Sequence, residues 1–243
     1  MKYLSIVFLC TAILFSCKKE SSCDCFKSTG TVESEYRDVT EPFTRIEAND
    51  IVNVYITDDS IRSIRVEAGK HLIPLISTEI SNGVLHLGNH NKCNWVRSFK
   101  IPINVYVSAP HLRDIISYGT GNLYSTNTLH ADTLGIESWG SGHFELSLQT
   151  QVSFCTLHNG VGDAVFTGSS GINYIYSGGY GVADLRNFDT DTSVIDNRGT
   201  GDFYVNTMNQ LSASIRSYGN VYYKGNPSTI WSDVTGEGKL LPL

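Results

Sequence analysis

The chain has 243 residues, 41% of them hydrophobic, which is enough for a substantial core in one or two domains. Its formal charge is −6, and it becomes −7 (17 basic against 24 acidic residues) once the segment carrying Lys2 is removed. A mildly acidic chain without a basic run excludes nucleic acid and anionic lipid headgroups as partners, since both require clustered Lys and Arg.

Residues 1–16 open with Lys2, continue through an apolar stretch from Tyr3 to Phe15, and end at Ser16, directly before Cys17. The apolar part is too short to span a bilayer and reads as an export signal. A small residue before a cysteine resembles a bacterial lipobox, which implies cleavage before Cys17 and lipidation of its thiol. Residues 17–28 then form a polar tether. With Cys10 removed and Cys17 acylated, Cys23, Cys25, Cys93 and Cys155 remain. In an exported chain cysteines pair, and Cys93 is assigned to Cys25 (or Cys23). Such a bridge closes a long loop, worth about 4 kcal/mol in the entropic account. Cys155 reads as a packed free thiol. The set lacks the two C-x-x-C pairs of a zinc site.

From 29 to 110 the pattern is short alternating strands: Thr31–Val39, Ile51–Ile56, Ser63–Ala68, Thr78–Ser81, Val84–Leu87 and Ile101–Val107. Leu72–Ile76 fits one helical turn. Asn82-Gly83 is a hairpin signal, so this region contains antiparallel pairing and is placed to cover, or continue, the repeat that follows.

From 111 to 243 one motif recurs about every twenty residues: Ser117-Tyr-Gly-Thr-Gly, Ser138-Trp-Gly-Ser-Gly, His158-Asn-Gly-Val-Gly, Ser177-Gly-Gly-Tyr-Gly and Asn197-Arg-Gly-Thr-Gly, with worn copies at Ser217 and Gly236. Apolar columns flank it. Ile115, Ile136, Thr156, Ile175, Ile195 and Ile215 precede the glycines; Leu123, Phe144, Ala164, Ala183, Phe203, Val221 and Leu240 follow them. Twenty residues are too few for a βαβ unit, and the period of two on both flanks argues for strands. The expected fold is all-β: a parallel β-helix (β-solenoid) of about 20 residues per coil, with like residues stacked. Its glycines mark a corner needing either a positive φ or the absence of Cβ. Trp95 and Trp231 are assigned to shielding the two ends.

The ordered segments Cys25-Phe-Lys-Ser-Thr-Gly30, Phe43-Thr-Arg-Ile46, Asn53-Val-Tyr-Ile56, Val66-Glu-Ala-Gly69, Thr78-Glu-Ile80, Asn91-Lys-Cys-Asn-Trp95 and Pro102-Ile-Asn-Val-Tyr106, leading into the Gly-x-Gly copies, resemble the auto-transporter adhesin family with a head GIN domain, found among Bacteroidetes lipoproteins. The resemblance runs over about residues 25–243 and implies a right-handed parallel β-helix and adhesion, with no known catalytic residues.

The residues after each second glycine (Asn122, His143, Asp163, Val182, Asp202, Asn220, Lys239) form a mixed column, read as corner residues solvating the backbone rather than a carboxylate site. Gly178-Gly-Tyr-Gly-Val-Ala-Asp184 lacks the carboxylate position of a calcium nonapeptide, so no metal or cofactor is expected. Ser117, Ser138, His158, Ser177, Asn197 and Ser217 read as a polar ladder, not a nucleophile and base. Tyr118, Trp139 and Tyr218 fall in one motif column, and flat rings on a rigid sheet suit a glycan or protein ligand. The sequence is therefore read as a non-enzymatic, lipid-anchored protein of a Gram-negative outer membrane, on its periplasmic or cell-surface face, acting in adhesion. A polysaccharide lyase or hydrolase, and a purely structural envelope protein, are the alternatives.

Overall fold

The structure, a computed structural model, describes residues 28–92, 101–158 and 160–243. The export signal, the lipidation site Cys17, the cysteines Cys23, Cys25 and Cys93 of the expected bridge, and Trp95 lie outside the described residues.

The expected strands of the first half form, and Arg45–Ala48 is a further strand beyond them. β1 (Val32–Arg37), β2 (Arg45–Ala48), β3 (Asn53–Thr57) and β4 (Ser63–Gly69) are followed by a single 3-10 turn, Ile73–Leu75. β5 (Ile76–Ser81) and β6 (Val84–Asn89) form the expected hairpin, with Asn82 and Gly83 both at positive φ (53° and 76°) as such a turn requires. β7 (Asn104–Ser108), β8 (Asp114–Ser117) and β9 (Leu123–Ser125) lead into five long strands: β10 (Leu129–Ser138), β11 (Phe144–Leu157), β12 (Ala164–Ser177), β13 (Ala183–Asn197) and β14 (Phe203–Ile215). β15 (Val221–Lys224), β16 (Thr229–Val234) and β17 (Leu240–Pro242) complete the stack.

Each coil has two faces joined by a bend. β14 shows the division: its first half pairs with β15 and its second half with β16. On the first face β7, β3, β9, β11, β12, β13, β14, β15 and β17 run parallel; on the second, β6, β2, β8 and β10 followed by the later halves of β11 to β14 and β16. The chain order is not the spatial order at the start. β2 and β3 lie between β6–β7 and β8–β9, so Arg45 is in register with Asp114. β1 and β4 pair antiparallel, and β4 pairs antiparallel with β7, which supplies the expected cover at that end.

The inward files are the stacked columns. Leu123, Phe144, Ala164, Ala183, Phe203, Val221 and Leu240 are in register coil by coil. Ile115, Ile136, Ile175 and Ile195 share a second file, but its remaining members are Cys155 and Ala213, not Thr156 and Ile215. A slip of one residue turns a side chain outward, and Thr156 lies on the outside between Glu137 and Tyr176. Ile215 faces inward one step later, over Asn197. A further inward file is polar: Ser153 Oγ donates to Asn173 Oδ1 at 2.9 Å, and Ser193 Oγ lies 2.7 Å from both Thr190 Oγ1 and Thr207 Oγ1. These groups are buried, so their mutual bonds, together with that from Thr190 Oγ1 to Asn206 O (2.9 Å), offset the loss of water. Cys155 is fully buried, and burial pushes its thiol up to about 12. Iodoacetamide will therefore leave Cys155 unmodified in the native protein and alkylate it in guanidinium, as read by peptide mass spectrometry; native labelling at neutral pH would contradict the packing.

The corner glycines are explained by space rather than by φ. A Cβ on Gly140 would lie 1.7 Å from the carbonyl oxygen of Gly119, one on Gly160 1.8 Å from that of Gly140, and one on Gly201 1.9 Å from that of Gly181. None of these has a positive φ. The coils approach so closely because ladder bonds continue round the corner: the Ser141 N–H donates to Gly119 O (3.2 Å) and the Thr200 N–H to Gly179 O (2.9 Å). Four of the residues after the second glycine, Asn122, Asp163, Asp202 and Asn220, cap the next coil. Asn122 Oδ1 accepts from the His143 N–H (3.0 Å), Asp163 Oδ1 from Val182 (2.8 Å) and Asp202 Oδ1 from Asn220 (2.7 Å). At the far end Trp231 does not shield the stack: it is in register with the outward Ser212 and 54% exposed.

Candidate binding face

Ser138 ends β10 pointing inward, so the next residue, Trp139, points out just before the tight Gly140 corner. The ladder fixes its neighbours. The Trp139 N–H donates to Ser117 O and the His158 N–H to Ser138 O, which sets Tyr118, Trp139 and His158 one above another. Tyr118 and Trp139 stack with ring centroids 6.4 Å apart at 22°, and Trp139 and His158 at 3.4 Å and 14°. Glu137, two residues back on the same side, fastens both: its Oε2 accepts from Trp139 Nε1 at 3.3 Å and lies 3.2 Å from His158 Nε2. The Tyr118 phenol is pushed up, first by burial and then by the Glu47 and Glu137 carboxylates. Tyr176 lies below His158, tilted by 59°. On the same face Phe154 and Tyr174 stack at 5.0 Å and 10°. Tyr118 (48%), Trp139 (46%) and Phe154 (41%) are close to half exposed, with Trp139 held between Tyr118 and His158 and Phe154 backed by Tyr174.

Below the rings the corner column changes chemistry. Gly178, Arg198 and Arg216 occupy it, and Arg198 and Arg216 pair with Asp196 (3.0 Å) and Asp233 (2.7 Å).

The structure thus brings Tyr118 and Trp139 together and leaves Tyr218 out. Asn197 is in register with Ile215 and Phe203 with Val221, so Tyr218 matches Thr200, on the outside of the corner, and is 69% exposed. The Ser217-Tyr-Gly copy misleads because its single glycine, Gly219, takes the place of the second glycine, Gly201, with which its Cβ would collide at 2.1 Å. His158, conversely, leaves the serine column. Leu157 sits over Ser138, and the inward column reads Ser117, Ser138, Leu157, Ser177, Asn197, Ile215. The signal that could have found this is the interval from Leu157 to Ala164, seven residues where the other coils have six.

A second ring stack went unread in the sequence. Tyr106, Tyr55 and Tyr124 stack on the first face at 4.9 and 5.1 Å. Its sign is the triplet Asn53-Val-Tyr55, repeated as Asn104-Val-Tyr106 and Asn122-Leu-Tyr124, whose asparagines are laddered by a 3.1 Å bond from Asn53 Nδ2 to Asn104 Oδ1. This stack is drawn into the fold. Arg65 lies 3.8 Å over the Tyr106 ring, and the Tyr106 hydroxyl donates to Glu67 at 3.2 Å. Burial acts to raise the Glu67 carboxyl, but hydrogen bonds from Asn104, Arg65 and Tyr106 outweigh it and hold the group below its usual range. The face with the free rings is the second one.

The fold and this face define a β-solenoid whose corner presents open aromatic rings. Residues 42–227 match the family described as "Putative auto-transporter adhesin, head GIN domain", and the chain belongs to that family. No curated protein matches it. Among solved structures, a "putative adhesin" of Bacteroides fragilis is 25% identical with a TM-score of 0.81, the alignment covering 88% of this chain and 97% of that one. A "putative adhesin" of Parabacteroides distasonis (16% identity, TM-score 0.68, 88% and 98% covered) shares the fold. So does a "putative lipid binding protein" of the same organism (16%, 0.69, 89% and 98%).

Proposed function

We propose that the protein is a lipid-anchored envelope adhesin, held through Cys17, that engages a glycan or surface protein with the second face of its solenoid. The observation that carries this is the Tyr118–Trp139–His158 stack, whose first two rings are close to half exposed. Its rings are fixed in advance by ladder register and by Glu137, so little conformational freedom remains to be lost on binding. Family membership and the adhesin names of the similar structures support the reading.

The test is attachment of cells displaying the full chain. Trp139→Ala combined with Tyr118→Ala lowers attachment about tenfold or more, the scale of losing central aromatic anchors. Surface amount is held equal by antibody staining. Cys17→Ser moves the protein from the membrane pellet to the soluble fraction. Attachment equal to wild type in the double variant would remove this face from the function.

A further inference from the structure

The outer row of the second face that contains Phe154 has a gap. In register it reads Arg45, Asp114, Gly135, Phe154, Tyr174, Val194, Ser212, Trp231. Gly135 alone in this row has no side chain. The backbone does not require glycine there. Its φ is not positive, and a Cβ would meet only the tip of the Asp114 carboxylate at 2.8 Å, with the nearest backbone atom at 3.7 Å. The corner glycines Gly119, Gly140, Gly160 and Gly201, by contrast, would strike backbone carbonyls below 2 Å. With coils about 4.8 Å apart, the missing side chain opens about 10 Å between Asp114 and Phe154.

That opening is the floor of a groove of about 550 Å³, walled by Asp114, Asp132, Arg113 and Phe154. It continues along the bend into a second groove of about 650 Å³, sharing His111, Ala131 and Asp132 and lined further by Gln149, Gln151 and Ser169. Volumes of this size suit small ligands. The polar groups are poised rather than spent. Asp114 Oδ2 accepts from Arg45 Nε and Nη2 (3.2 and 3.0 Å), while its Oδ1 faces the space over Gly135. Asp132 is exposed and has no hydrogen-bond or ion-pair partner among the described residues. Phe154 is held flat by its stack on Tyr174.

A flat ring beside carboxylates that accept hydroxyl hydrogens, followed by amides and hydroxyls that both donate and accept, complements a pyranose with one C–H face and a polar rim. The Arg45–Asp114 pair cancels, and Arg113 balances Asp132, so the groove offers no net charge to an ionic sugar. We propose that it is a subsite for a neutral oligosaccharide, one pyranose ring seated over Gly135 against Phe154. The proposal deepens, and rests on, the reading of this face as the adhesive one.

The test is titration calorimetry of the mature chain with cellobiose, lactose and chitobiose, and with 3′-sialyllactose as the anionic comparator. At least one neutral disaccharide binds, and Gly135→Val, Asp132→Asn and Phe154→Ala each weaken it tenfold or more. Tyr36→Ser, on the remote β1, leaves binding within twofold. Asp132 and Phe154 are exposed, so their variants fold even if Gly135→Val does not. Absence of neutral binding, binding of sialyllactose alone, or undiminished binding in Asp132→Asn and Phe154→Ala overturns the subsite. Attachment that still depends on Trp139 in that event leaves the adhesive face standing. Disaccharide binding lost in Asp132→Asn while attachment ignores Trp139 sinks the adhesive face and keeps the subsite.

Discussion

Gly140→Ala lowers the free energy of unfolding by about 3 kcal/mol, the upper end of overpacking and a large share of a domain's stability. The added methyl would lie 1.7 Å from Gly119 O, a backbone atom that already accepts the Ser141 N–H. It cannot rotate away, so relief requires parting two coils and breaking the corner ladder. Gly83→Ala is the internal comparison. Its φ of 76° is strained for alanine, but nothing lies within 4 Å of the new Cβ, and about 1 kcal/mol is the expected cost. Urea unfolding of both variants at unchanged slope reads the difference. Equal costs would mean that the corner is dictated by dihedral preference and not by the closeness of the coils.

Phe166→Ala costs about 4 kcal/mol. The file Phe144, Ala164, Ala183, Phe203 narrows at its two alanines, and the space beside them is taken by Phe166 packed edge-on to Phe188, with centroids 5.9 Å apart at 81°. Both rings are 0% exposed, so truncation leaves a void walled by two neighbouring coils that ladder bonds prevent from collapsing. Phe154→Ala, on the outside of the same strand β11 as Phe144, changes stability by less than about 1 kcal/mol. A Phe166→Ala loss as small as that would show that the interior relaxes freely.

The stacked fold was legible because a coil of nearly constant length repeats its own pattern. Ile136, Ile175 and Ile195 fall in one file, as do Phe144, Ala164, Ala183 and Phe203. The motif misleads where the corner gains a residue or loses a glycine. The extra residue between Leu157 and Ala164 carries His158 onto Trp139, and the lost first glycine at Ser217 carries Tyr218 away from it. Motif letters align glycines, whereas the coordinates align hydrogen-bonded strands, and the two disagree by one or two residues where the corner is irregular. The buried file of Ser153, Asn173 and Ser193 was hidden for another reason. Polar residues inside the stack satisfy one another within a coil, as Thr190 and Ser193 do, and across neighbouring copies, as Ser153 and Asn173 do, which periodicity of hydrophobic residues does not report. The notch at Gly135 was unreadable since one glycine in a strand carries no sign of what surrounds it.

The early strand pair β2–β3 is enclosed by segments that come later in the chain, β6–β7 on one side and β8–β9 on the other. A polypeptide emerging from its export channel therefore cannot finish its opening section until about residue 125 has arrived, because contacts spanning 69 positions must close first. Beyond that point each turn needs only its predecessor. Assembly thus has a committed, slow beginning and a vectorial, stepwise continuation.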